Sequence, residues 1–158
     1  MAIIKPFKGI LYNDINKDVS DRISPPYDVI DPQLQTELYI KHPDNIIRII
    51  LGKEEAMDKD DEIYDRAAGY YSNWTSNNIL SNDKKQCFYI WDQIFTIGKK
   101  QYIRTALVAK VRCNPFGKRE VIPHEKTHDA PKKDRLKLFQ TCKAQFSQVF
   151  SLYSDEDD

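Results

Sequence analysis

The sequence predicts an α+β fold, with a mixed, mainly antiparallel sheet and about three helices. Two runs rich in aromatic and β-branched residues, at 87–97 and 101–112, flank Gly98-Lys99-Lys100, which is the pattern of an antiparallel hairpin. Helical patterns recur on both sides of this hairpin, at residues 33–41, 63–80 and 130–146. Separate helices around an antiparallel hairpin favour the α+β class.

Length and charge limit what the chain can be. It has 158 residues, with 24 Lys plus Arg against 24 Asp plus Glu, so we expect a single domain over residues 1–158 that needs no metal or disulfide to fold. The balanced charge predicts no nucleic-acid partner. No apolar run approaches the roughly 20 residues of a membrane helix, so no membrane partner is expected either. Three cysteines without CxxC spacing favour reduced thiols and a cytoplasmic protein.

The first third of the chain predicts a bent strand, a rigid loop and a helix. Apolar residues around Pro6 and Gly9 favour a bent strand at residues 3–12. Two adjacent prolines, at 25 and 26, then favour extended backbone that presents Tyr27 and Asp28 from a rigid loop. Asp31 can cap a helix whose first residue is Pro32, and that helix is expected to end near residue 41.

A β-branched run, NIIRIIL at residues 45–51, predicts a buried strand. Arg48 is the one charge in this run. Because a buried charge without compensation is costly, we expect Arg48 to pair with a carboxylate such as Asp28 or Glu125, or to face a bound anion.

The expected helix at residues 63–80 carries an apolar stripe that is typical of core packing. The stripe consists of Ile63, Ala67, Tyr70, Tyr71 and Trp74. Beyond it, Cys87 and Cys113 are expected to be core residues of strands.

The C-terminal third predicts a short strand at residues 120–122, a helix at 130–146 and a last strand at 149–153. The helix is expected to begin near Asp129, with Pro131 in its first turn. Its inward face is expected to hold Leu136, Phe139 and Cys142.

The densest group of reactive side chains lies in VIPHEKTHDAPKKDRL, residues 121–136. His124 or Glu125 could act as a general base or orient a hydroxyl group. HEKTH matches the zinc pattern HExxH, but prolines at 123 and 131 leave room for little more than one helical turn, so no metal site is predicted. A solvated polar loop is the alternative interpretation. The helix start that follows could bind an anion near Lys132 and Arg135, or these could be the charged outer face of an ordinary helix.

Five blocks of the sequence resemble the N-terminal part of the domain-of-unknown-function 1015 family. In order they are MAIIKPFKGILYN, SPPYDVI from residue 24, NIIRIILGKE from 45, VIPHEKT from 121 and PKKDRL from 131. Members of that family are longer, and the resemblance implies a following Asp-Gly-His-His-Arg phosphate loop similar to that of ParB-like free-serine kinases. Nothing in this chain matches the loop, so we expect the N-terminal part of a longer protein, with a C-terminal segment as partner.

The resemblance implies a nucleotide-dependent phosphotransferase that acts on a small hydroxylated metabolite with ATP or ADP and magnesium. It assigns catalysis to Asp28, His124 and Glu125. It assigns ligand and phosphate binding to Arg48, Thr127, Lys132 and Arg135. The alternative is a non-catalytic domain that uses the same residues to bind an anionic ligand or a protein partner.

Overall fold

The computed structural model describes residues 2–13, 18–115, 121–123 and 128–153. The chain divides into two compact units. One, here called the strand unit, comprises Met1–Tyr12 and Leu80–Lys126, and the other, the helical unit, comprises Asn13–Ile79 and Thr127–Asp158. The described residues form three two-stranded antiparallel sheets, three helices of at least 10 residues and one helix of 4 residues. The α+β prediction is confirmed.

The strand unit holds all six described strands. In chain order these are β1 (Ile4–Lys5), β2 (Ile10–Tyr12), β3 (Leu80–Asn82), β4 (Tyr89–Ile97), β5 (Lys100–Val108) and β6 (Lys110–Val111). Strand β1 pairs with β6, β2 with β3 and β4 with β5, each pair antiparallel.

The β4–β5 hairpin confirms the strongest strand prediction. Its register is continuous from Tyr89 opposite Val108 to Ile97 opposite Lys100, which leaves a two-residue turn. Gly98, the first turn residue, has a φ of 63°, a conformation that glycine adopts without strain. The prediction that Cys87 and Cys113 are core strand residues is wrong, because both thiols are exposed. Both cysteines lie outside β4 and β5, and β-branched and aromatic residues form most of the paired positions of that hairpin.

The bend expected near the N-terminus separates β1 from β2. Gly9 lies between these strands, and its N–H donates to the Tyr89 hydroxyl at 2.6 Å. A Cβ at position 9 would lie 2.7 Å from that oxygen, so a larger residue could not sit there without moving Tyr89. Glycine is therefore required because the Tyr89 side chain approaches the backbone closely at this position, and not because the chain makes a tight turn there.

Four helices build the helical unit: α1 (Pro32–Lys41), α2 (Ile47–Ile50), α3 (Glu62–Ser76) and α4 (Asp129–Cys142). The start of α1 is as predicted, because the Asp31 carboxylate accepts a hydrogen bond from the Leu34 N–H at 2.8 Å. Helix α3 ends at Ser76 and not near residue 80, where β3 begins. Its expected stripe is confirmed, since Ala67 and Trp74 are buried. No helix within the described ranges is both long and apolar enough to cross a membrane.

The strand predicted at NIIRIIL is wrong, because this run forms the short helix α2. Asn45 is fully buried, and its side-chain oxygen accepts from the Ile47 N–H at 2.9 Å while its amide nitrogen donates to the Asp21 and Ile23 carbonyls. This anchored turn starts a helix and leaves the run without a neighbouring strand. Ile47 and Ile50 then pack with Leu38 in the core of the unit, so tertiary packing overrides the β-propensity of isoleucine.

The inward face predicted for α4 is partly wrong. Cys142 is buried as expected, but Leu136 is 53% exposed and Phe139 49% exposed, while Leu138 is buried in their place. The face is rotated by about one residue, because Arg135 turns inward and lies against Tyr27, as described below. The strand predictions at 149–153 and at 121–122 are wrong, because neither of these described segments is in a strand; residue 120 lies outside the described ranges.

An ion pair between α3 and the acidic linker before it gives a pH-dependent contribution to stability. Arg66 donates to both oxygens of Asp58, at 2.9 and 2.6 Å, and Asp58 also accepts from the Glu55 N–H. These bonds, the Arg66 bond first, lower the pKa of Asp58 from 3.8 to about 2. A carboxylate whose pKa is lower in the folded state stabilises fully above its unfolded pKa and loses that contribution as the pH falls through its folded pKa.

We therefore expect Asp58→Asn to destabilise the chain at neutral pH, with a penalty that is constant above about pH 5 and shrinks as the pH falls toward 2. Urea unfolding of both proteins across this pH range measures the difference. A penalty of the same size at pH 6 and pH 2.5 would show that the carboxylate charge makes no contribution.

Candidate functional site

Three of the sequence blocks meet in the helical unit around the side chain of Arg135. The SPPYDVI block contributes Tyr27, whose ring centre lies 4.0 Å from the Arg135 guanidinium carbon. The NIIRIIL block contributes a wall of α2 and the residues just after it, and the PKKDRL block contributes Asp134 and Arg135 themselves. Segments that are more than a hundred residues apart in sequence are thus brought to one place.

The Arg135 guanidinium is held by contacts on several sides. Its Nε donates to Asp134 Oδ2 at 2.7 Å, and its Nη2 pairs with the same oxygen. The Tyr64 hydroxyl, from α3, donates to the other Asp134 oxygen at 2.7 Å. Both oxygens of the carboxylate are therefore engaged, and the arginine side chain is only 21% exposed.

One end of this guanidinium has no hydrogen-bond partner among the described residues. Arg135 Nη1 is buried and makes no hydrogen bond with any residue that the structure describes. A buried donor left without a partner costs about 1–3 kcal/mol, and more when it is charged. The remaining N–H groups of Arg135 therefore favour a bound acceptor, above all a negatively charged oxygen.

A small cavity of about 20 Å³ lies beside Asp134 and Arg135. That volume holds about one water-sized atom. Most of its wall comes from α2, α3 and their neighbours: Ile49, Ile50, Leu51, Gly52, Ile63, Tyr64, Ala67 and Leu138. The cavity thus combines an apolar wall with a carboxylate, a phenol and a guanidinium.

Tyr64 acts as a hydrogen-bond donor in this cluster at every physiological pH. Burial, followed by the hydrogen bond to the Asp134 carboxylate, raises the pKa of Tyr64 from 10.0 to about 12. Both causes disfavour the phenolate, so the hydroxyl keeps its proton and its bond to Asp134.

Arg48, the second guanidinium from the sequence prediction, lies in a different environment. Its Nη2 donates to the Tyr39 carbonyl at 2.7 Å, and its guanidinium carbon lies 4.4 Å from the Tyr39 ring centre and 5.7 Å from that of Tyr70. The expected pairing with Asp28 is wrong, because a carbonyl and two aromatic faces stabilise the charge. Its Nε is buried and has no partner among the described residues.

A family comparison identifies the chain. A family model described as "Protein of unknown function (DUF1015)" matches residues 4–158. This chain belongs to the DUF1015 family. Comparisons with curated proteins and with solved structures each found no match.

The remaining predicted site residues of this DUF1015 chain are not part of the cluster formed by Tyr27, Tyr64, Asp134 and Arg135. They are exposed or lie outside the described residues. Asp28 follows Tyr27 in a short 3-10 turn and is exposed. Lys132 is half exposed and pairs with Asp129 at 2.8 Å, which lowers the pKa of that carboxyl. His124, Glu125 and Thr127 lie outside the described residues, so their prediction stands as made.

The structure describes only the last residue of the HEKTH pattern. His128, the second histidine of HEKTH, is exposed and has extended backbone one residue before α4 begins. The described residues contain no group of three His, Cys, Asp or Glu side chains that could hold a metal ion.

Sequence reasoning missed two members of the cluster, Tyr64 and Asp134. Asp134 directly precedes Arg135, and adjacent residues of a helix do not usually face each other. Tyr64 follows Ile63 and lies beside the apolar stripe of α3, so its sequence position is that of an ordinary half-buried tyrosine. Only the packing of α3 against α4 shows that their side chains meet.

Proposed function

We propose that this chain handles a phosphate group as part of a nucleotide-dependent phosphotransferase acting on a small hydroxylated metabolite. The observation that supports it best is the buried Arg135 Nη1, which has no described partner and belongs to a guanidinium beside a cavity. Arginine suits phosphate recognition because its planar group stays charged and offers several N–H donors.

Phosphoryl transfer depends mainly on positioning and on neutralising charge, so a fixed guanidinium is a useful component. In this proposal Arg135 binds a phosphate oxygen, and Lys132 adds positive charge nearby on the same helix. Glu125 or Asp28 takes the proton of the attacking hydroxyl group, and His124 and Thr127 orient the substrate. A ParB-like phosphate loop from a further segment would bind the rest of an ATP or ADP molecule, which brings its own magnesium.

A second function, non-catalytic binding of an anionic ligand, is favoured by one specific observation. Asp134, the carboxylate in contact with Arg135, already accepts hydrogen bonds at both oxygens. It is therefore poorly placed to remove a proton from a substrate. The described cluster, taken alone, has the composition of a binding site, and catalysis would depend on residues 124 and 125.

Substitution of His124 and of Glu125, two of the candidate catalytic residues, separates the two functions. Transfer is measured in the chain joined to a phosphate-loop segment, because the proposed module is incomplete without that loop. Under the first proposal, His124→Ala and Glu125→Gln reduce transfer of phosphate from ATP to a hydroxylated acceptor by about 100-fold or more, with nucleotide affinity largely kept. Under the second, wild type transfers no phosphate, and the variants change affinity alone. Titration calorimetry with ADP, ATP and magnesium gives the affinities, and circular dichroism verifies folding.

Failure of wild type to bind either nucleotide, or any phosphate compound or carboxylate, in calorimetry would reject both functions. The control is Lys99→Gln, in the turn of the β4–β5 hairpin, which removes one exposed positive charge from the strand unit. It should leave affinity and transfer unchanged.

A further inference from the structure

The contacts of Arg135 determine which of its donors remain for a ligand. Asp134 occupies the edge formed by Nε and Nη2, and Tyr27 covers one face of the guanidinium. Of the three guanidinium nitrogens, Nη1 is the one that has no acceptor among the described residues, so both of its N–H groups remain. Because the Tyr64 hydroxyl holds the other oxygen of Asp134, the orientation of Arg135 depends on a chain of two hydrogen bonds that begins on α3.

The cavity limits how much of a ligand can enter. At about 20 Å³ it accommodates about one oxygen atom and is too small for a whole phosphate group. Apolar side chains such as Ile49 and Ile63 form much of its wall, which strengthens a charged hydrogen bond inside it.

We infer that Tyr64 and Asp134 are positioning residues that aim Arg135 Nη1 at a single terminal oxygen of a phosphate monoester, whose remaining atoms lie outside the cavity. This inference rests on the proposed function, since the phosphate chemistry comes from there. It adds two residues that the sequence did not assign and a limit on what the cavity admits. A phosphate monoester suits this guanidinium better than a carboxylate, because its group carries a larger negative charge beside the one oxygen that enters the cavity.

Binding of glycerol phosphate by the whole chain tests this inference. Calorimetry gives the dissociation constant, and the ¹⁵N resonances of the Arg135 guanidinium show whether Nη1 gains an acceptor. We expect Tyr64→Phe, which removes one hydroxyl and keeps the ring, to weaken binding by about threefold to tenfold. Asp134→Asn should weaken it by more than about tenfold, and Arg135→Lys by a similar factor.

The matched control is Arg66→Gln in the same unit. Arg66 also forms a two-bond pair with an aspartate, Asp58, but both of its Nη atoms donate to that carboxylate. Its loss should lower the unfolding temperature and leave both glycerol phosphate affinity and the Arg135 resonances unchanged. This control separates a role in positioning from a general loss of stability.

Several results would overturn the inference. Wild-type affinity in Tyr64→Phe and Asp134→Asn would show that Arg135 does not need positioning. An Arg135 resonance that responds to acetate as strongly as to glycerol phosphate would reject a phosphate-specific site, and no response to either would indicate that a buried water satisfies Nη1. Monoester binding without phosphate transfer, in the chain joined to a phosphate-loop segment, would remove the phosphotransferase and leave this inference standing. Transfer that survives Arg135→Gln would remove this inference and the role of Arg135, and would leave the phosphotransferase standing.

Discussion

Ile47→Ala is expected to destabilise the chain by about 3–4 kcal/mol, within the usual range for removing a buried isoleucine side chain. Ile47 is 0% exposed and packs with Leu38 and Ile50 in the core of the helical unit. It belongs to α2, and the residues that follow it in this helix form one wall of the cavity beside Arg135. The substitution should therefore weaken ligand binding as well as stability.

Urea unfolding at neutral pH measures this loss, and Ile40→Ala is the matched control. Ile40 lies on α1 but is 80% exposed, so its truncation should change the free energy of unfolding by less than about 0.5 kcal/mol. Ile47→Val, which removes a single methyl group, should fall between the two at about 1 kcal/mol. A cost below about 1 kcal/mol for Ile47→Ala would contradict the position of α2 in the core.

Asn45→Ala is expected to cost about 3 kcal/mol, because it removes three hydrogen bonds worth about 1 kcal/mol each. The Asn45 side chain donates to the Asp21 carbonyl at 2.8 Å and to the Ile23 carbonyl at 3.1 Å, and it accepts from the Ile47 N–H at 2.9 Å. Since its side chain is buried, water does not replace these bonds readily. The substitution should loosen the chain before α1 and the start of α2 together.

Asn77→Ala provides the comparison for this prediction. Asn77 is also an asparagine beside a helix, and its amide donates to the Asn73 carbonyl, but it is exposed. Its truncation should cost less than about 1 kcal/mol. Hydrogen exchange of the Ile47 amide gives a second measurement, since it should accelerate in Asn45→Ala and not in Asn77→Ala. Equal costs for the two substitutions would show that Asn45 does not organise the turn.

Local signals in the sequence predict the elements that depend on local interactions. Asp31 and Pro32 predict the start of α1 because capping and a fixed φ act within one turn. The hairpin is predicted because alternating strand residues and Gly98 act within a few residues of each other. The isoleucines of α2 mislead, because their β-propensity is weaker than the buried hydrogen bonds of Asn45 and the core contacts of Ile47, which involve distant residues.

The candidate site is likewise predicted only where it depends on local sequence. Arg135 is predicted as an anion-binding residue from its position beside other basic groups in the PKKDRL block. Its surroundings are not, because Tyr27 reaches Arg135, and Tyr64 reaches Asp134, from segments about a hundred and about seventy residues away. The rotation of α4 that buries Leu138 in place of Leu136 follows from these same contacts. A site formed by long-range packing is visible only in the fold.

The most direct test of a phosphate-handling site is the difference in affinity between ADP and adenosine, measured by calorimetry for wild type and Arg135→Gln in the presence of magnesium. Adenosine lacks the phosphates, so the difference isolates their contribution. We expect wild type to bind ADP at least about tenfold more tightly than adenosine, and Arg135→Gln to lose most of that preference. Equal affinity of wild type for ADP and adenosine, or an ADP preference that Arg135→Gln leaves intact, would contradict the assignment.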